Sequence, residues 1–162
     1  MNFNLTFIPD EAYYKEAYEE IVSTLRFKKY EPFFAILMVI FGVGLYFYDK
    51  NRISGIFPFV FSLIGIYEFY KLLNEKNKWL KNRLDSLVVG EKIEIEFSSS
   101  KIIHKGPFSN GEIEWEGIKK IVRTKNGLII KPENGISLYL PDKLFVDRKH
   151  IEFILTKNKS KT

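Results

Sequence analysis

Cysteine is absent from the 162 residues, which excludes disulfides, thiolate metal sites, iron–sulfur clusters and cysteine nucleophiles together. Only two histidines are present, too few for a multi-histidine metal centre. Charge is missing from two long stretches, Phe33 to Tyr48 and Ile53 to Tyr67. Between Pro32 and Leu73 the only charged residues are Asp49, Lys50, Arg52, Glu68 and Lys71. The composition is 46% hydrophobic, 28% charged and 16% aromatic, which fits neither a disordered chain nor a uniformly apolar bundle. The net charge is +5, and a basic sum suits nucleic acid, anionic lipid or acidic partners alike. Its distribution is more informative, because charge is held almost entirely outside one apolar block.

That block predicts two helical spans joined by the polar loop Asp49 to Arg52. At 1.5 Å per residue the first stretch gives about 24 Å of helix, slightly short of a ~30 Å hydrocarbon core. Tyr30, Tyr46, Tyr48, Tyr67 and Tyr70 can sit at headgroup level beside snorkelling Lys and Arg. A core helix of a small soluble protein should keep one polar face, and neither stretch has one. Gly42, Gly44, Gly55, Ser62 and Gly65 would allow close helix approach in lipid, and Pro58 should kink the second span. The loop carries Lys50 and Arg52, whereas Arg26, Lys28, Lys29, Lys71, Lys76, Lys78, Lys81 and Arg83 lie at the other ends. The positive-inside rule therefore places both flanks in the cytoplasm. The first twenty residues lack the basic start and apolar run of a cleavable signal, so the first span is expected to act as an uncleaved anchor.

Outside the block, Phe3, Leu5 and Phe7 alternate as in a short strand. Pro9 and Asp10 then open a helix with Tyr14, Ala17, Tyr18, Ile21 and Leu25 on one face. After the second span, Leu72, Leu73, Lys76, Trp79, Leu80, Arg83, Leu84 and Leu87 continue a helical stripe. Within it Lys76, Lys78, Trp79, Lys81 and Arg83 are candidates for contact with anionic headgroups, although topology alone already requires such residues. From Glu91 onward, six strands are expected, with Asn-Gly turns at 110–111, 126–127 and 134–135 supplying positive φ. A closing helix follows over Asp147 to Lys157. The predicted organisation is 1–31 as an N-terminal strand and helix, 32–73 as a transmembrane hairpin with spans about 33–48 and 53–73, 74–90 as a basic juxtamembrane helix, and 91–162 as a β module. The fold class is membrane α+β, a two-helix hairpin plus a cytoplasmic antiparallel sheet or partial barrel capped by a C-terminal helix.

Several module residues carry a resemblance: the strand Gly111 to Trp115 followed by Ile118, then Leu128 to Ile130, then Ser137 to Pro141 with Phe145, and finally Phe153 to Leu155. With the preceding parts, this order resembles the YcxB-like family of small bacterial membrane proteins. In that family a strand ending in Trp, an Ile three residues on, and an apolar-Pro-x-x-x-Phe element before the last helix recur. The strands and closing helix are also similar to bacterial pleckstrin-homology-like modules. The resemblance implies a membrane-tethered cytoplasmic module and brings no catalytic residues with it.

Chemistry is sparse in the remaining pattern. Glu112, Glu114 and Glu116 alternate opposite Ile113 and Trp115, as the wet side of a half-buried strand should. His104 and His150 lack ligand sets and read as surface or edge residues. There is no phosphate-cradling glycine-rich loop and no G-x-S-x-G elbow. Lys119, Lys120, Arg123, Lys125 and Lys131 can form a basic patch suited to lipid or protein, but without the aromatic platforms that nucleic acid would need. Glu68 is the one carboxylate inside an apolar run, a functional candidate by default, yet Lys71 one turn on makes an interfacial ion pair the simpler account. The expectation is a non-enzymatic inner-membrane protein that needs no cofactor or metal and binds a protein or lipid partner at the cytoplasmic face. Two alternatives are a membrane-resident immunity or stress-protection protein and, through Glu68, an accessory subunit of a transporter or channel.

Overall fold

The computed structural model describes residues 1–48 and 55–158, so the loop Asp49 to Arg52 lies outside the described residues. The elements are β1 (Phe3–Phe7), α1 (Glu11–Ser23), α2 (Glu31–Tyr48), α3 (Phe57–Leu84), β2 (Ile93–Phe97), β3 (Lys101–Lys105), β4 (Asn110–Glu114), β5 (Ile118–Arg123), β6 (Gly127–Pro132), β7 (Leu138–Pro141) and α4 (Arg148–Asn158). The class is α+β with two antiparallel sheets, ordered β1-β2-β3-β4 and β5-β6-β7. The strands thus form two hydrogen-bonded ladders instead of one continuous sheet, and the 3-10 turn Trp115–Gly117 separates them.

The chain divides into two compact units, Met1–Thr24 with Leu80–Thr162, and Leu25–Trp79. The sequence pattern sets residues 1–31 apart as a leading segment whose strand could add a seventh to the six of the module. The structure groups β1 and α1 with the module, with β1 as the outer strand of the first sheet. Phe3 pairs with Phe97, Leu5 with Ile95 and Phe7 with Ile93. Period-two alternation sends those three side chains inward, where they join Ile95, Phe97, Ile102, Trp115, Ile118, Ile121, Leu128, Ile130, Leu140 and Ile154 in one core. Trp115 Nε1 donates to Ser98 O at 3.0 Å, which satisfies the indole while its ring is buried.

Local chemistry explains the ends of the elements. Asp10 caps α1, its carboxylate accepting from Tyr13 N at 2.7 Å. Asp147 serves α4 in the same way through Lys149 N at 2.9 Å. Of the three expected Asn-Gly turns, only Gly135 has positive φ, at 108°. Asn110 and Gly111 lie within β4, and the turn before them is closed by Gly106 N donating to Ser109 O. Gly127 is needed for space: a Cβ there would stand 2.8 Å from the Tyr139 ring and 2.9 Å from Pro141 Cα. The juxtamembrane helix is not a separate element, since α3 continues unbroken to Leu84.

In the second unit α2 and α3 run antiparallel through two glycines. A Cβ on Gly42 would meet Pro58 O at 2.6 Å and Ser62 N at 2.7 Å, and one on Gly65 would meet Ala35 O at 2.7 Å. Phe41 on Phe61 and Tyr46 on Phe59 extend the contact. Gly44 and Gly55 take no part, because neither has an atom within 4 Å of such a Cβ.

Candidate functional site

The largest unexplained surface is that of the helical unit. Among the described residues, Lys28–Tyr48 is the one helical stretch long and apolar enough to cross a membrane, with a mean hydropathy of 1.7. Most of its residues are exposed. Phe33, Ile36, Ile40, Phe47, Phe57, Leu63, Ile66 and Tyr70 are each at least half exposed. A soluble core helix hides such residues, and monomers seldom expose contiguous apolar patches beyond a few hundred Å². The expected second span begins at Ile53, and residues 53 and 54 lie outside the described residues.

Ion pairs bracket this apolar zone. Lys28 reaches Glu31 Oε2 at 2.7 Å and also holds Glu75 of α3, and the lysine side chain is only 17% exposed. The sequence reading treats Lys28 as a topology signal alone. The pairing was hidden because Glu75 lies far along the chain and is brought close by the antiparallel return. Glu68 is paired with Lys71 at 3.0 Å, both side chains near half exposure.

The five basic and aromatic candidates on α3 do not share one face. Helical spacing puts Lys76, Trp79 and Arg83 on one side, where all three are partly buried and each interacts with other residues. Lys78 and Lys81 point elsewhere and are exposed. Of the five, only Lys78 and Lys81 are thus fully presented to the surroundings.

Within the module, α1 is held to the three-stranded sheet by a polar network that apolar periodicity misses. Tyr13 donates to Tyr139 O at 2.8 Å, and Tyr139 donates to Glu16 Oε1 at 2.6 Å. Burial, then the neighbouring Tyr14, pushes the Tyr13 phenol up. Burial and then Glu16 do the same for Tyr139. Arg123 grips Asp142 through both guanidinium nitrogens, with Nη2 at 2.6 Å, which holds the Asp142 carboxyl below its ordinary value. Glu20, only 6% exposed, adds its negative field to Arg123 and Tyr139. The buried positions of α1 are Ala17 and Glu20; Ala17 lies on the predicted stripe, whose Tyr14, Tyr18 and Ile21 are half-buried, and the inward face extends beyond it to Tyr13, Glu16 and Glu20. A Tyr139→Phe variant is expected to lose about 1.5–3 kcal/mol, since its hydrogen bond goes to a carboxylate. Denaturant unfolding measures this, and an unchanged midpoint would show that the network holds nothing.

Other candidates resolve as structural parts. Glu112 pairs with Lys101 at 2.6 Å, and Glu96 pairs with Lys105. Every residue of β4 is exposed, including Ile113, because β4 is the outer strand of its sheet. His150 is no surface residue: its ring stacks on Phe3 at 4.0 Å, and its Nδ1 is buried without a partner among the described residues. Arg123 leaves the predicted basic patch through its bond to Asp142. Compared with family models, with curated proteins and with solved structures, the chain matches none.

Proposed function

We propose that the chain is a bacterial inner-membrane protein whose two apolar helices cross the bilayer as a hairpin. The hairpin presents the sheet module to a protein or lipid partner at the cytoplasmic face, and the module acts by binding and not by catalysis. The observation that carries this reading is the exposure of large apolar side chains along both helices, which lipid would cover. A second support is topological. β1 precedes the hairpin and β2 follows it, yet the two are hydrogen-bonded neighbours. Both flanks must then stand on one side of any membrane, which requires an even number of crossings, in keeping with the Lys and Arg bias. The bond between Glu68 and Lys71 favours an interfacial anchor over a transport role.

The cysteine-free chain permits a direct test. Asn51→Cys, in the loop outside the described residues, and Lys125→Cys, at an exposed turn of the module, are made singly and treated with a membrane-impermeant thiol reagent. Asn51→Cys is expected to label in intact cells and Lys125→Cys only after lysis. A protein found in the soluble fraction, or equal labelling at both sites, would overturn the reading.

A further inference from the structure

The three-stranded sheet carries a charge arrangement that its own stability does not require. Lys120 of β5 stands directly opposite Lys131 of β6, and the register slips between Ile118 and Lys120 so that Lys119 is the extra residue of a bulge. Two lysines of β5 therefore oppose a single lysine of β6. Burial confirms their direction: Ile118 and Ile121 point inward, while Lys119 and Lys120 between them are both exposed. Like charges directly opposite one another destabilise a sheet. No carboxylate accepts from any of the three among the described residues. Lys131 is half buried, and its ammonium donates to Thr24 Oγ1 at 2.7 Å. Burial, then Lys120, pulls the Lys131 pKa down.

A structural role explains only part of this. Thr24 lies at the C-terminal end of α1, whose last turn has no basic residue of its own, so Lys131 supplies a cation to the negative end of the helix. That accounts for one lysine. It does not account for the bulge that turns two more lysines to the outer face of the same strand pair.

We infer that Lys119, Lys120 and Lys131 form a binding site for a phosphate group, borne either by a lipid headgroup or by a soluble anion. Lysine holds phosphate as a point charge, and a bound anion would relieve the mutual repulsion of the three ammonium groups. The site goes beyond the membrane reading and does not depend on the helices crossing a bilayer.

The test uses the purified full-length chain in a neutral detergent, with thermal unfolding as the readout. The probes are inorganic phosphate against chloride at matched ionic strength, and dihexanoyl phosphatidylglycerol against dihexanoyl phosphatidylcholine. A phosphate-bearing probe at about tenfold its half-saturating concentration is expected to raise Tm by about 5 °C. Lys119→Gln combined with Lys120→Gln leaves the Lys131 contact intact. It should abolish that shift while the ligand-free protein melts no lower than the parent. Lys120→Gln alone should reduce the shift, which keeps the test sound if the double variant misfolds. Activity of phosphatidylglycerol far below the phosphate concentration identifies a lipid source, and equal potency identifies a soluble one. A shift no larger than that of the controls, or one that survives both substitutions, overturns the site. A lower ligand-free Tm in the single Lys120→Gln variant would make that lysine structural and overturn it equally.

Discussion

Leu5→Asp is expected to unfold the sheet module outright. Leu5 is 3% exposed and faces Ile95, which is fully buried, across the β1–β2 ladder. Truncation to Ala alone should cost about 2–5 kcal/mol. A carboxylate placed there has no partner and adds a desolvation penalty of several kcal/mol, against a total stability of about 5–15 kcal/mol for an ordinary domain. Thr6→Lys is the matched control, since Thr6 is exposed and its cross-strand neighbour is Glu94. Trp115 fluorescence in a Trp79→Phe background reports the outcome. The Asp variant should show the unfolded emission without denaturant, and Thr6→Lys should keep the parental midpoint. Survival of Leu5→Asp with a native spectrum would mean that β1 is dispensable to the core.

Gly65→Leu should have the second large effect, on the helical unit. Even a Cβ at this position would lie 2.7 Å from Ala35 O and 2.9 Å from Val39 N. Backbone atoms cannot swing aside as side-chain tips do, so α2 and α3 must separate, and overpacking of this kind costs about 1–3 kcal/mol or more. Gly44→Ala is the contrasting change, because Gly44 has open space around it and alanine favours helix by up to about 1 kcal/mol. Helical melting followed by circular dichroism in detergent should fall sharply for Gly65→Leu and hold or rise for Gly44→Ala. Equal behaviour of the two would place the helix contact elsewhere.

Alternation and apolar runs made most of the architecture legible. Phe3, Leu5 and Phe7, the strands from Ile93 onward and the closing helix all announce themselves through side-chain period, and the structure follows them. Partnership was harder to read, because pairing is set by distant residues. Nothing local to residues 3–7 says that Ile93–Phe97 will receive them, and nothing near Lys28 points to Glu75. The inward face of α1 is wider than its apolar stripe for a related reason. Tyr13, Glu16 and Glu20 look solvent-facing by polarity, but Tyr139 and Arg123 supply the hydrogen bond and charge that make their burial tolerable. Among the candidate sites, the helical stripe already separates Lys76, Trp79 and Arg83 from Lys78 and Lys81, and the burial of α3 follows that division. The lysine triad was visible only as a basic patch until the bulge fixed which members share a face.

The pairing of β1 with β2 also sets a schedule. Asn4 and Glu94, bonded across these strands, are separated by 90 residues, and everything between them must be made before the outer strand has a place to dock. At about 5–20 residues per second, a growing chain carries that strand unpaired for roughly 5–20 s. During this interval its three apolar side chains have no native neighbour, while the greasiest part of the protein emerges from the ribosome behind it. Residues 3–7 are thus made well before they can be secured, and the window in which they can be lost to proteolysis or to another chain's sheet closes only when residues 93–97 have been translated.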